Sequence, residues 1–368
     1  MAEISKVIGL MSGTSLDGVD AALIETDGED FARPLASLTI PYNAETRAQL
    51  RAALDEARGV AEGAPVPQAI REAERTLTEV HVAAVEALLK KAGLAASAVA
   101  LIGFHGQTIL HRPDQRWTWQ IGDGALLARK TGIDVVNDFR TADVKAGGQG
   151  APLVPLYHAA LARKTALAPP LVLVNIGGVA NVTYISGETV LAFDTGPGNA
   201  PIDDWMHRHS GKPVDEGGTF ARTGKVNDVA LARMLENPFF DRIPPKSLDR
   251  LDFGSDAVAD LSPEDGAATL TAFTAASIAK AREHFPEPAT TWIVTGGGRH
   301  NKFLMDQLRA RVNAPVLTTE DAGWDGDAME AEAFAYLAMR SKKGLPLSLP
   351  TTTGVQQPMT GGKYHRHL

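Results

Sequence analysis

Two separated stretches of the chain share one order of elements: an apolar strand, a short turn rich in glycine, and two further strands. The first stretch covers residues 6–42 with its turn at residues 12–18, and the second covers residues 171–194 with its turn at residues 176–178. Helical patterns of apolar residues separate and follow these stretches. This repeated order, with helices mixed among strands, predicts an α/β fold that is built twice within one chain.

The length agrees with two domains, because 368 residues exceed the size at which single hydrophobic cores stop growing. A glycine-rich break at residues 146–150 is followed by Pro152 and is a candidate crossover between the domains. The predicted N-terminal lobe comprises residues 1–138 plus about 342–368, and the predicted C-terminal lobe comprises residues 139–341.

The charge balance and the absence of cysteine exclude several classes of protein. With 36 Lys and Arg against 44 Asp and Glu, the net charge is −8, so the chain lacks the basic bias typical of nucleic-acid binding. Without cysteine there is no disulfide framework, thiolate metal site or cysteine nucleophile. No apolar run approaches the length of a membrane span. We therefore expect a protein of the cytoplasm with neither nucleic acid nor a membrane as partner.

Three glycine-rich turns are candidate nucleotide sites. Successive backbone N–H groups in the first two can surround a phosphate, and the third follows a strand and opens a helix, where a nucleotide can approach bare backbone. The turn at residues 12–18 lacks the lysine of a Walker motif. A second turn lies at Gly177 and Gly178. The third, Gly296, Gly297 and Gly298, does not complete a dinucleotide-binding fingerprint, since Asn301 occupies the last glycine position. For each turn, ordinary chain reversal remains the alternative.

Polar side chains at predicted strand ends are candidates for sugar binding or catalysis. Asp194 follows a buried strand and precedes a Gly-Pro-Gly turn, where it could act as a general base or cap the next helix. Amides, a carboxylate and a guanidinium that suit sugar hydroxyls or a carboxylate are supplied by His105, Gln107, Gln120, Asp138 and Arg140. Ordinary loop hydrogen bonding would explain this second group equally well.

Taken together and in order, these motifs resemble the anhydro-N-acetylmuramic acid kinases, a family within the superfamily of sugar kinases, heat-shock chaperone ATPases and actin. The matching segments are residues 9–20, 105–108, 120–122, 138–140, 147–155, 175–178, 194–199, 296–298 and 329–330. Because they span nearly the whole chain, the combined resemblance is far more specific than any one motif.

The resemblance implies a two-lobed, actin-like ATPase fold with a central cleft and a homodimeric kinase that uses ATP and Mg²⁺. It implies that the 1,6-anhydro ring of anhydro-N-acetylmuramic acid is opened with water while the 6-oxygen is phosphorylated, and that Asp194 is the catalytic base. The implied ATP-binding residues are Ser12, Gly13, Thr14, Ser15, Leu16, Asp17, Gly18, Val19, Gly177, Gly178, Gly296, Gly297 and Gly298. The implied substrate-binding residues are His105, Gln107, Gln120, Asp138, Arg140, Gln149 and Glu330.

The chain departs from this pattern at two places. Leu10 stands where many superfamily members carry a metal-linked aspartate, so the metal ligands are left unassigned. Thr141 and Ala142 stand where family members often have two arginines. Two other functions remain open from sequence: a nucleotide-driven interaction protein of the actin or chaperone type, and a sugar-binding regulator without turnover.

Overall fold

A computed structural model describes residues 3–13, 15–248 and 252–368. In chain order the strands are β1 (Ser5–Ser12), β2 (Gly18–Thr26), β3 (Ala32–Pro41), β4 (Leu101–Arg112), β5 (Trp117–Ile121), β6 (Val135–Asn137), β7 (Leu171–Ile176), β8 (Val179–Ser186), β9 (Thr189–Pro197), β10 (Thr291–Thr295), β11 (Val316–Thr318) and β12 (Lys363–His365). The α-helices are α1 (Ala44–Ala57), α2 (Gln68–Ala92), α3 (Gly124–Thr131), α4 (Thr141–Lys145), α5 (Pro155–Ala162), α6 (Ala200–Ser210), α7 (Asp228–Leu235), α8 (Pro263–Lys280), α9 (Lys302–Arg309), α10 (Met329–Lys342) and α11 (Pro350–Thr353). Short 3₁₀ helices lie at Ala96–Ala98, Pro113–Gln115, Glu216–Gly218, Ala221–Thr223, Pro238–Asp241, Asp256–Val258, Ala281–His284 and Gly297–His300.

The chain divides into two compact units, at boundaries that differ from those predicted. Unit 1 comprises the chain up to Lys164 and from Asp327 to the end, and unit 2 runs from Thr165 to Gly326. The predicted boundaries at residues 138 and 342 are therefore corrected. The physical reason is helix packing: α5 packs against α10 and β3, and α10 lies on β1 and β4, so both helices belong to unit 1.

The sheet of unit 1 follows the order β12-β6-β4-β1-β2-β3, with β5 also paired to β4. Strand β2 is antiparallel to its neighbours β1 and β3, whereas β4 runs parallel to β1 and β6 runs parallel to β4. Apolar side chains on β1, β2 and β4 form one core with α1, α2 and α3. The carboxyl ends of β1, β4 and β6 consequently meet at one edge of the sheet.

Helix α10 packs so closely on this sheet that two strand glycines are required. A Cβ atom added at Gly9 would lie 1.8 Å from the Ala331 carbonyl oxygen, and one added at Gly103 would lie 2.0 Å from the Phe334 carbonyl oxygen. Such distances are far below van der Waals contact. Glycine at these two positions therefore allows the helix backbone to approach the sheet.

The sheet of unit 2 follows the order β11-β10-β7-β8-β9. Strands β7, β8 and β9 are antiparallel, β10 is parallel to β7, and β11 is parallel to β10. One apolar core lies between this sheet, α8 and α9, and a second, rich in phenylalanine, lies among α6, α7 and α8. The order β9-β8-β7-β10-β11 repeats the order β3-β2-β1-β4-β6 of unit 1. The predicted duplicated α/β fold is thus confirmed.

Candidate active site

The first glycine turn, between β1 and β2, is held from the side of β3 and α1. Leu16 adopts a left-handed φ of 57°, and its N–H donates to the Gly13 carbonyl at 3.2 Å. The Tyr42 N–H donates to the Asp17 carbonyl at 2.9 Å, and Arg47 Nε donates to the Leu16 carbonyl at 3.0 Å. The turn is thereby fixed in place at the carboxyl end of β1. Thr14, predicted to bind ATP, lies outside the described residues.

Ser12 links this turn to β4 through a buried chain of hydrogen bonds. Its Oγ donates to Gln107 Oε1 at 2.6 Å and lies 2.7 Å from the Tyr42 hydroxyl. Ser12, Gln107 and Tyr42 are all buried. Tyr42 was not identified from the sequence, since a lone tyrosine after a strand carries no signal beyond core packing.

His105 and Arg140 form the second polar contact at this sheet edge. Arg140 donates to His105 Nε2 from Nε at 3.1 Å and from Nη2 at 2.9 Å, and it donates from Nη1 to the Gly150 carbonyl at 2.7 Å. His105 Nδ1 lies 2.8 Å from the Gly106 carbonyl oxygen. Burial, and then the Arg140 charge, hold the pKa of His105 well below its ordinary value, so the imidazole is neutral.

The position of His105 and Gln107 corrects one expectation. The sequence places them at the end of a strand, whereas both lie inside β4, which continues to Arg112. The reason is a change of partner: Gln107 pairs with Ser12 on β1 and also begins the pairing with β5, at Ile121. The two residues still reach the predicted sheet edge because β1 ends there.

Gln120 and Gln149 are connected through His111. His111 Nδ1 lies 2.9 Å from Thr118 Oγ1, and His111 Nε2 lies 2.9 Å from the Gln149 carbonyl oxygen. Gln120 Nε2 donates to Thr118 Oγ1 at 2.8 Å, while Gln120 Oε1 is buried without a hydrogen-bond partner among the described residues. An unpaired buried acceptor of this kind suits a ligand donor such as a sugar hydroxyl.

Glu330 lies in the first turn of α10. The surrounding protein displaces water from its carboxyl and thereby raises the pKa of that group. The Arg140 charge opposes this rise, and the Asp20 charge adds to it. Asp138 follows β6 with a left-handed φ of 56°. Unit 1 therefore carries three of the predicted charged substrate-binding residues, namely Asp138, Arg140 and Glu330.

The segment that carries Gln149 is fixed by Asp143, which the sequence left without a role. Asp143 Oδ1 accepts from the Gly150 N–H at 2.7 Å, and Oδ2 accepts from Thr353 Oγ1 at 2.6 Å and from Ser348 Oγ. The Gln149 N–H donates to the Thr353 carbonyl at 2.7 Å. This buried carboxylate holds the glycine-rich loop against the C-terminal segment.

In unit 2, the second glycine turn contacts the Gly-Pro-Gly segment, residues 196–198, at the end of β9. The N–H groups of Gly198 and Asn199 donate to the carbonyls of Gly178 and Gly177 at 2.9 and 2.7 Å. A Cβ atom at Gly198 would lie 2.2 Å from the Gly177 carbonyl oxygen, so this position requires glycine. At Gly177, by contrast, a Cβ atom would lie 3.7 Å from the Val179 carbonyl oxygen, an ordinary van der Waals contact.

The third glycine turn lies beside the second. Gly296 has a φ of 75°, and a Cβ atom there would lie 2.4 Å from Asn175 Oδ1. Gly298 approaches the Ile176 side chain equally closely. Because β7, β9 and β10 run in the same direction, both turns and Asp194 lie at the carboxyl edge of one sheet.

Asp194 lies within β9 at a bulge rather than at the end of the strand. It pairs with Asn181, and the next pair joins Gly196 to Ala180, so Thr195 is the extra residue. Burial raises the pKa of the Asp194 carboxyl to about 7, although the Leu248 N–H, donating to Oδ2 at 2.8 Å, opposes the rise. A carboxylate with such a pKa can take up a proton near neutral pH.

The described residues contain no group of three or more His, Asp or Glu side chains that could hold a metal ion. Mg²⁺ in kinases is usually held by one or two carboxylates, water and substrate phosphates. A site of that kind does not require a group of three such side chains, so the protein ligands of Mg²⁺ stay unassigned.

Among the residues that the structure describes, no helix combines the length and the apolar composition that a membrane span requires.

Two α/β units, each with glycine turns and polar groups at the carboxyl edge of its sheet, define a class of protein that is suited to binding phosphate groups. The family model for anhydro-N-acetylmuramic acid kinase matches residues 5–366. The chain belongs to this family.

Curated relatives agree with this assignment over nearly their whole length. The anhydro-N-acetylmuramic acid kinase of Rhizorhabdus wittichii is 54% identical over 361 residues, covering 98% of this chain and 98% of the relative. The enzyme of the same name from Paramagnetospirillum magneticum is 53% identical, covering 97% and 99%. That from Acidiphilium cryptum is 54% identical, covering 98% of each.

Proposed function

We propose that this protein is an ATP-dependent kinase that opens the 1,6-anhydro ring of anhydro-N-acetylmuramic acid with water and phosphorylates its 6-oxygen. The product is N-acetylmuramic acid 6-phosphate, an intermediate in the recycling of cell-wall sugars. The family supplies the substrate class. The single observation that carries the chemistry is Asp194, a partly buried carboxyl whose pKa is raised to about 7 and which lies at the same sheet edge as two glycine turns.

Asp194 is the base in the proposed reaction. Its ionised carboxylate takes a proton from water as the water oxygen bonds to the anomeric carbon. The bond between that carbon and the 6-oxygen breaks, the 6-oxygen attacks the γ-phosphorus, and ADP leaves. Water supplies the new anomeric hydroxyl, so atoms and charge balance, and the proton rests on Asp194 until it passes to solvent.

The glycine turns bind ATP in this proposal. Residues 12–19 and the Gly177–Gly178 turn offer backbone N–H groups to phosphate oxygens, and residues 296–298 bind the nucleoside part. Hydrogen bonds hold the backbone of both turns in place. This supports the proposed role, because preorganised donors lose little entropy when they bind an anion. Mg²⁺ accompanies ATP and neutralises phosphate charge.

The sugar is bound by polar groups of unit 1. The buried Gln120 Oε1 accepts from a hydroxyl, and the Arg140 charge attracts the sugar's carboxylate. The other proposed contacts are His105, Gln107, Asp138, Gln149 and Glu330. Glu330 holds the sugar rather than activating water in this proposal.

The oligomeric state and the cellular location of the protein are also proposals. We infer a homodimer from the family resemblance, and light scattering coupled to size exclusion measures it directly. We place the enzyme in the cytoplasm, where ATP is available. A nucleotide-driven interaction protein is not favoured, because the family match covers residues 5–366 and its curated members are named as kinases.

Product analysis in heavy-oxygen water tests the function. The purified protein is incubated with ATP, Mg²⁺ and the anhydro-sugar, and the products are examined by mass spectrometry. We expect one heavy oxygen at the anomeric carbon and none in the bridging 6-oxygen of the phosphate ester. A phosphorylated product without label would contradict the hydrolytic step, and ATP hydrolysis without any sugar product would favour the interaction protein.

A further inference from the structure

Residues 246–248 lie along β9 and contact Asp194 twice. The Asp194 N–H donates to the Lys246 carbonyl at 2.9 Å, and the Leu248 N–H donates to Asp194 Oδ2 at 2.8 Å. The first bond sets the position of the short segment, and the second places a donor on the carboxylate. The protonation of Asp194 therefore depends on where this segment lies.

The Lys246 side chain holds the segment in place. Its Nζ donates to the carbonyls of Phe239 and Phe240 at 3.2 and 3.1 Å, lies 3.4 Å from His284 Nε2, and lies 4.7 Å from the centre of the Phe239 ring. An ammonium that is bound to two carbonyls and an aromatic face resists displacement.

The 3₁₀ helix that receives Lys246 is itself firmly packed. Phe239 and Phe240 are buried in the phenylalanine-rich core of unit 2, together with Phe273 of α8. Phe240 also packs against the β9 bulge, since a Cβ atom at Gly196 would lie 3.4 Å from its ring. A continuous series of contacts thus runs from this core through Lys246 to the Asp194 carboxylate.

The groups that face Asp194 and Lys246 differ in charge. At Asp194, the paired residue on β8 is Asn181, and α8 presents Ser277 to the bulge, neither of which titrates. Burial lowers the pKa of Lys246 most, and the positive charges of Lys280 and Arg242 lower it further. The negative charges of Asp241 and Glu283 raise it. His284 lies beside Lys246, and burial lowers the pKa of that imidazole as well.

We infer that Lys246 is a positioning residue, which holds residues 246–248 so that the Leu248 N–H remains on the Asp194 carboxylate. This inference rests on the proposed role of Asp194 as the base. Lys246 acts through the segment and does not contact Asp194 with its ammonium group. Its loss removes a hydrogen bond that favours the ionised carboxylate, so the base form becomes scarcer at neutral pH.

Direct titration of Asp194 tests the inference without requiring turnover. The protein is labelled with ¹³C at the aspartate carboxyl, and the Asp194 signal is identified by its loss in Asp194→Asn. In Lys246→Met we expect the pKa of Asp194 to rise by about one unit, because one N–H bond to a carboxylate contributes roughly that much. Lys246→Arg keeps the positive charge and should restore the original value.

Matched controls separate this effect from general loosening. Lys280→Met removes a neighbouring ammonium, whose hydrogen bonds go to Glu283, and should leave the titration unchanged. Leu248→Pro removes the N–H donor itself and should reproduce the rise even if Lys246→Met folds poorly. An Asp194 pKa in folded Lys246→Met equal to that of the unaltered protein would overturn the inference.

Kinetics supply the second measurement. The acidic limb of the kcat profile should move to higher pH in Lys246→Met by the same amount as the titration, while the KM for ATP stays within about twofold. Absence of sugar turnover in the unaltered protein would instead contradict the proposed function, whatever the titration shows. The two failures are therefore distinguishable.

Discussion

The Asp194 carboxyl is expected to carry the proton transfer, whereas Glu330 is expected to hold the sugar. Asp194→Asn keeps size and hydrogen bonding but removes basicity, so kcat should fall by roughly 10²-fold or more with a nearly unchanged KM for ATP. Glu330→Gln should chiefly raise the KM for the sugar. Steady-state kinetics with both substrates measures these constants, with the exposed Asp260→Asn as control. Near-normal kcat in Asp194→Asn, together with lost kcat in Glu330→Gln, would exchange the two roles.

The ionised Asp194 carboxyl should lower the free energy of unfolding at neutral and alkaline pH. Burial raises the folded-state pKa of Asp194 from 3.8 to about 7, so its favourable protonated form is lost as pH rises through that range. Asp194→Asn should therefore match the unaltered protein near pH 4 and exceed its stability at pH 8 by on the order of 1–3 kcal/mol. Melting temperatures of both proteins, measured between about pH 4 and pH 8, test this prediction. A constant difference at all pH values, as expected for Asp260→Asn, would argue against a buried ionised group.

The two glycine turns that we propose to bind phosphate should tolerate a larger side chain structurally but not functionally. A Cβ atom would lie 3.7 Å from Ser15 Oγ at Gly13 and 3.7 Å from the Val179 carbonyl oxygen at Gly177, and both distances are ordinary contacts. Gly13→Val and Gly177→Val should therefore fold, yet crowd bound phosphate and weaken ATP binding by about tenfold or more. Calorimetric titration with ATP measures the affinity. Gly59→Val, after α1, is the matched control outside the site, because a Cβ atom there would also lie 3.7 Å from its neighbour, the Glu56 carbonyl oxygen. Unchanged affinity in both folded variants would remove the phosphate role of the turns.

The order of the chain predicts that the two units differ in their ability to fold alone. Unit 2 is one continuous segment with its own cores, so residues 165–326 should fold as an isolated fragment. Residues 1–164 lack α10, which covers the sheet at Gly9 and Gly103, and should remain poorly folded until residues 327–368 are added. Circular dichroism and cooperative thermal unfolding of the fragments measure this. Cooperative unfolding of residues 1–164 alone would contradict it.

The repeated strand order and the glycine turns could be predicted from the sequence, because both depend on local patterns. Alternation of apolar residues, glycine at turns and polar residues after strands are imposed by neighbouring positions in the chain. The resemblance to the kinase family came from the same short segments, and the family comparison confirms it. The proposed ligands of these segments remain predictions that binding measurements must test.

The contacts that surround the candidate site were decided by tertiary structure alone. Lys246 and Leu248 lie more than fifty positions from Asp194 in the chain, and Asp143 binds Ser348 and Thr353 more than two hundred positions away. Contacts at such separations depend on how whole elements pack, which a local pattern does not encode. The unit boundaries were misplaced for the same reason, since α10 joins the first sheet only after all of unit 2 has been crossed. The raised pKa of Asp194 has this origin too, because burial by distant residues, rather than the neighbours of Asp194 in sequence, removes water from its carboxyl.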